Sequence, residues 1–153
     1  MTDEIRCAIE LRADASRESP GRIAGVLLTY EVRAKDRPEM FAAGALQWDP
    51  AGIILNLSHD RKQPVMRFTP ELRGAELVID APLPDTTHGR DAATMIRNGT
   101  LRGLSVEFRA LDEGYRAGVR EVRRAELRGA GLVDDASYGN RVELRHGRPR
   151  VWL

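Results

Sequence analysis

Serine and histidine form a nucleophilic pair only where a fold brings them together, and two segments of this 153-residue chain offer such a pair. Asn56-Leu57-Ser58-His59-Asp60 puts an imidazole at the end of an apolar run, and Leu101-Arg102-Gly103-Leu104-Ser105-Val106-Glu107-Phe108 puts a hydroxyl inside another. A serine is a poor nucleophile at neutral pH unless an imidazole within about 2.6–3.2 Å takes its proton. Hydrogen-bond donors must then receive the oxyanion, and a third group normally fixes the imidazole tautomer. The chemistry on offer is acyl transfer through a serine ester. The other histidines are weaker partners: His88 stands at a helix start beside Gly89, and His146 lies in the polar turn Arg145-His146-Gly147-Arg148. Asp85, His88 and Asp91 match no metal-ligand spacing, so no metal or cofactor is expected.

The elements that must position the pair are mostly strands. Ile5 to Leu11 alternates apolar and polar residues and puts Cys7 on its buried face; Ile23 to Val32 follows the Ser19-Pro20-Gly21 turn. Ala42 to Leu46 reads as a short strand. Ile53 to Leu57 and Pro64 to Phe68 read as a hairpin, and Glu76 to Leu83 follows Arg73-Gly74. One helix starts at Asp85-Thr86-Thr87, carries Ala92, Ala93, Met95 and Ile96 on its apolar stripe, and stops at Asn98-Gly99. Leu104 to Leu111, Val119 to Leu127, a short piece through Leu132-Val133, Val142 to Leu144 and Val151-Trp152-Leu153 complete the pattern. Period-2 geometry sends Leu104, Val106 and Phe108 to one face of their strand, and Ser105, Glu107 and Arg109 to the other. Many short strands with one helix inserted late predict a mainly β (α+β) fold, a small closed antiparallel β-barrel with one to three packed helices.

Composition bounds the function. The length fits one domain over 1–153. The balance of 24 basic against 23 acidic residues makes no global field for nucleic acid or membrane, so neither is expected as a partner. Arg116, Arg120, Arg123, Arg124 and Arg128 make a basic stretch, yet Glu113, Glu121 and Glu126 interleave with them, the pattern of a solvated strand face. A lone cysteine permits no intrachain disulfide. Met1-Thr2-Asp3-Glu4 lacks the basic start of a signal peptide, and no run approaches the roughly 20 apolar residues of a membrane span, so synthesis in the cytoplasm is expected.

Five segments in order give the chain a family likeness. They are Gly25, then Glu39-Met40-Phe41-Ala42-Ala43-Gly44-Ala45-Leu46, then Ile53-Ile54-Leu55-Asn56-Leu57-Ser58-His59-Asp60, then Ile96-Arg97-Asn98-Gly99, then Leu101-Arg102-Gly103-Leu104-Ser105. This order resembles the prohead serine proteases of tailed phages, which are similar in fold to the herpesvirus assemblins. The resemblance implies Ser105 as nucleophile and His59 as general base. It also implies scaffold or capsid-protein extensions as substrates, inside the immature procapsid in the host cytoplasm, often with self-cleavage. A homo-oligomer is compatible with it.

Two departures leave the third catalytic member open. The family commonly has a small residue two positions after the serine, where this chain has Glu107, which could orient His59, repel an oxyanion or face water. An acid common in the family before a later apolar pair is absent from Gly129-Ala130-Gly131-Leu132-Val133. Glu126 is the closest substitute in sequence, with Glu107 as the alternative and Asp134 and Asp135 within reach. Regular alternation puts Glu126 on the opposite face from Gly129, and a bulge eased by the glycines could reset that. The same glycines could instead break the strand or offer amides to an oxyanion. The expected function is a serine endopeptidase of phage procapsid maturation. A catalytically weak barrel serving as a capsid-assembly binding module is the alternative, and an esterase with the same pair is a third reading.

Overall fold

Strand follows strand through the computed structural model, which describes residues 19–135 and 142–145. In chain order the strands are β1 (Arg22–Thr29), β2 (Glu39–Phe41), β3 (Leu46–Gln47), β4 (Ile53–Leu57), β5 (Asp60–Phe68), β6 (Glu71–Arg73) and β7 (Glu76–Pro82). The helix α1 (Thr87–Arg97) comes next, then β8 (Gly103–Arg116), β9 (Val119–Val133) and β10 (Val142–Arg145). The expected strand around Cys7, the His146 turn and Val151–Leu153 lie outside the described residues.

β9 organises the larger sheet. One edge pairs with β8 in antiparallel register along nearly its whole length. The other edge takes β2, β3 and β4 end to end, all parallel to it, and β5 pairs back on β4. A smaller sheet has the order β10-β1-β7-β6, antiparallel throughout. The two sheets are not closed into a barrel, which corrects the expected closed antiparallel barrel; the mainly β class stands. Alternation of apolar and polar residues reports which side chains point inward, not strand direction or sheet closure. Gly129 and Gly131 do not break their strand either, and Val119 to Val133 runs as one element.

The inward faces of both sheets and one side of the helix share a core. Ile23, Leu28, Leu77 and Ile79 come from the smaller sheet, Phe41, Leu55, Val122 and Leu132 from the larger, and Ala92 and Ala93 from α1. The helix forms as its sequence requires: Thr86 Oγ1 accepts from the Gly89 amide at 3.0 Å, and Gly99 follows the Asn98 cap with φ of 78°. No helix among the described residues is long and apolar enough to cross a membrane.

Candidate active site

Across three strands of the larger sheet, one face is lined mostly with small or polar residues where the other is core. Leu57, Leu132 and Leu104 make one row of the core face and Leu55, Ala130 and Val106 the next. On the opposite face the corresponding rows are Asn56, Gly131 and Ser105, then Ile54, Gly129 and Glu107. Ser105 and Glu107 thus share the outer face, as alternation predicts.

His59 reaches this face from a hairpin tip rather than from a strand. Leu57 and Asp60 pair at the end of β4 and β5, which leaves Ser58 and His59 as a two-residue loop. Both have positive φ, 50° and 59°, the sign that type I′ hairpin turns require at both central positions and that Asn-Gly adopts most readily. Two residues with side chains of their own hold this conformation at a cost, and such strain collects at functional sites. The Ser58 amide donates to the Leu132 carbonyl at 2.8 Å, tying the tip back onto β9.

The imidazole then lies over Gly131. A Cβ on that glycine would stand 2.6 Å from both Cε1 and Nδ1 of His59, closer than real Cβ contacts come. The ring occupies the volume that a side chain at position 131 would fill, and residue 131 is the cross-strand partner of Ser105. Directly opposed side chains in such a pair have Cβ atoms about 4.5–5.5 Å apart, so the ring stands in the place of the neighbour that Ser105 would otherwise meet.

His59 Nδ1 contacts Glu107 Oε1 at 2.6 Å. The carboxylate in turn covers Gly129, where a Cβ would come within 2.7 Å of Oε2. The two glycines therefore clear the ground on which the imidazole and the carboxylate sit. Both side chains are partly exposed, 34% for His59 and 27% for Glu107.

The other acids are placed elsewhere. β9 does carry a bulge: Glu107 opposes Gly129 and Phe108 opposes Leu127, with Arg128 extra. It turns Glu126 to the same side as Gly129, but Glu126 pairs with Arg109 and Gln47 along the sheet and its carboxylate accepts from Arg128 at 3.4 Å. It lines a hollow of ≈ 540 Å³ with Gln47, Trp48 and Asp49. The acid brought to His59 is Glu107. Asp135 is paired with Lys35, and Asp134 accepts from the Asp135 amide at 2.8 Å. Asp60 accepts from Gln63 Nε2 at 3.0 Å and from the Lys62 amide at 2.9 Å, and these bonds hold its carboxyl below the ordinary range.

Four of the five arginines of the basic stretch are paired on the surface. Arg116 bonds to Glu121, Arg120 to Glu39 and Glu113, Arg123 to Asp112 and Arg128 to Glu126. Asp85 bonds to Arg90 at 2.7 Å. What sequence reasoning missed is the task of Gly129 and Gly131; two glycines at spacing two on a strand beside a serine strand are the signal for a face kept clear.

A serine beside an imidazole whose other side is held by a carboxylate can perform acyl transfer. No curated protein and no solved structure matched the chain. The family model of the caudovirus prohead serine protease does match, over residues 9–138, and the chain belongs to that family, whose members are serine peptidases of phage prohead maturation.

Proposed function

We propose that Ser105 is the nucleophile, His59 the general base and Glu107 the third member, in a serine endopeptidase that cuts scaffold or capsid-protein extensions inside the procapsid and trims itself. The reading is carried by the 2.6 Å contact between His59 Nδ1 and Glu107, made by a ring seated on the cross-strand partner of Ser105. With the Nδ1 proton donated to Glu107, Nε2 is the basic nitrogen. It takes the hydroxyl proton as Ser105 Oγ attacks the scissile carbonyl carbon, and gives that proton to the leaving amine as the C–N bond breaks. Water, deprotonated by the same nitrogen, hydrolyses the ester and restores the serine. Glu107 keeps the tautomer and stabilises the imidazolium without taking its proton.

Glu107 and the Gly129 to Gly131 segment, where the chain departs from the family pattern, support catalysis over a binding module: the acid lies on the histidine and the glycines lie beneath both side chains. The test is co-expression with the cognate capsid and scaffold proteins in the bacterial cytoplasm. Wild type should cleave them and Ser105→Ala should lose roughly 10³-fold or more of that activity. Cleavage that survives the substitution, or a fluorophosphonate adduct on another residue, overturns the assignment.

A further inference from the structure

Beside the His59–Glu107 pair lies a hollow of ≈ 440 Å³ bounded on one side by Glu107 and Gly129. Ile54 and Pro64 give it apolar walls, and its polar groups are Asn56, Arg61 and Arg128. Its depth depends on the missing side chain at Gly129, where a Cβ would stand 2.7 Å from Glu107 Oε2 and 3.3 Å from the Ile54 carbonyl.

Asn56 sets the chemistry. It is 5% exposed, and its Oδ1 is a buried oxygen without a hydrogen-bond partner. Buried polar side-chain atoms in native proteins are nearly always paired, so an orphan acceptor on a residue that lines a hollow calls for a donor, and rotation of the Asn56 amide about χ2 turns this oxygen toward what fills the hollow. Asn56 shares a sheet row with Gly131 and Ser105, two strands from the serine, so a polypeptide with its carbonyl carbon at Ser105 has a neighbouring side chain within reach of this hollow.

The charges narrow the occupant. Glu107 is taken up by His59, and Arg128 by Glu126. A substrate carboxylate would face Glu107 and leave Asn56 Oδ1 without a donor. A lysine or arginine would supply the donor but meet two guanidinium groups. A primary carboxamide answers both: its NH₂ donates to Asn56 Oδ1 and its oxygen accepts from Arg61. We propose that this hollow is a specificity subsite for a glutamine or asparagine side chain of the polypeptide substrate, an assignment that rests on the peptidase reading above. A site built to bond an amide rejects analogues that cannot complete the bonds, because its own buried groups are then left unpaired.

The experiment is digestion of a synthetic peptide library, randomised at every position, with cleavage sites read by mass spectrometry. Fluorophosphonate labelling of the same preparations is run alongside. Wild type should enrich glutamine and asparagine about tenfold or more at one position flanking the cut. Asn56→Asp, which keeps the acceptor and adds a negative charge, should turn that preference to lysine and arginine. Arg61→Glu, on an exposed strand position, should do the same and decides the matter if Asn56→Asp fails to fold. Enrichment of acidic residues, no enrichment at any position, or an unchanged preference in foldable variants overturns the subsite alone, whereas a protein labelled at Ser105 that cleaves no peptide overturns the peptidase reading and the subsite together. Cleavage or labelling that persists in Ser105→Ala overturns the peptidase reading and the subsite with it.

Discussion

Two glutamates on the larger sheet each hold a cationic or imidazole group, and their burial differs. Glu39, on β2, is gripped by Arg120 at 2.7 Å and Arg37 at 3.1 Å, and only 4% of its side chain is exposed. Arg120 is bonded to Glu113 as well and lies 5.9 Å above the Phe108 ring, which packs edge-on against Phe41. At the other end of the β8–β9 ribbon, Glu107 holds a single imidazole, and both groups reach solvent beside a hollow. A buried carboxylate gripped by two guanidiniums is positioned to hold strands together. One that fixes one side of an imidazole and leaves the rest accessible is positioned to work on something that arrives.

The comparison breaks most sharply if each acid is removed in turn. Glu107→Gln should lower kcat/KM for the capsid or scaffold substrate by roughly 10³–10⁴-fold, because the amide cannot hold the same tautomer. Its denaturation midpoint should stay close to wild type, since a half-exposed pair contributes little to stability. An equal loss of folding stability would place Glu107 in the same structural class as Glu39.

Gly131→Ala tests the ground beneath the ring. The new Cβ must displace His59, and a displacement of about 1 Å in a catalytic group costs on the order of 10²-fold in rate. Gly114→Ala is the control on the same ribbon: its Cβ would first meet the guanidinium of Arg123, a half-exposed group that can swing aside. Peptidase assays of the two variants should show a loss in the first alone.

Glu39→Ala should do the reverse of Glu107→Gln. It leaves Arg120 partly buried with Glu113 but without its buried partner, and should cost about 2–3 kcal/mol in urea unfolding, with activity per folded molecule retained.

The difference between these regions also explains what the sequence disclosed. The helix from Thr86 to Gly99 was legible because its cap, stripe and stop are local. The facing of Ser105 was legible because alternation is local too, and so was the β4–β5 hairpin. The parallel run of β2, β3 and β4 along β9 was not, because nothing in a short apolar stretch encodes the direction of a partner about 75–80 residues away. The hairpin tip was hidden for a different reason. Ser58-His59 is neither Asn-Gly nor Asp-Gly, so its turn chemistry is silent, and His59 read as a strand end. Glu107 was visible only as an open choice among acids, and a bulge in β9 was one possibility whose place at Arg128 the sequence did not mark.

The smallest expected effect lies away from the site, in the smaller sheet, and extends the comparison to a third carboxylate. Asp80 on β7 accepts from Arg22 Nε at 2.6 Å and Arg73 Nη2 at 3.2 Å, and Arg22 also donates to the Asp80 carbonyl at 3.1 Å. Burial pushes its carboxyl upward, but the two guanidiniums outweigh that and hold it below the ordinary range. A carboxyl with a lowered folded-state pKa binds protons less readily than in the unfolded chain. Its contribution is therefore full above the unfolded value near 4 and is lost as pH falls through the folded value. Asp80→Asn should cost about 1 kcal/mol at pH 7, since Arg73 is half exposed and its share is screened. The gap in urea midpoint between variant and wild type should stay constant from pH 7 to about pH 5 and narrow below pH 4. A gap that stayed constant down to pH 2 would mean that the two arginines contribute by packing against Asp80 rather than by its charge.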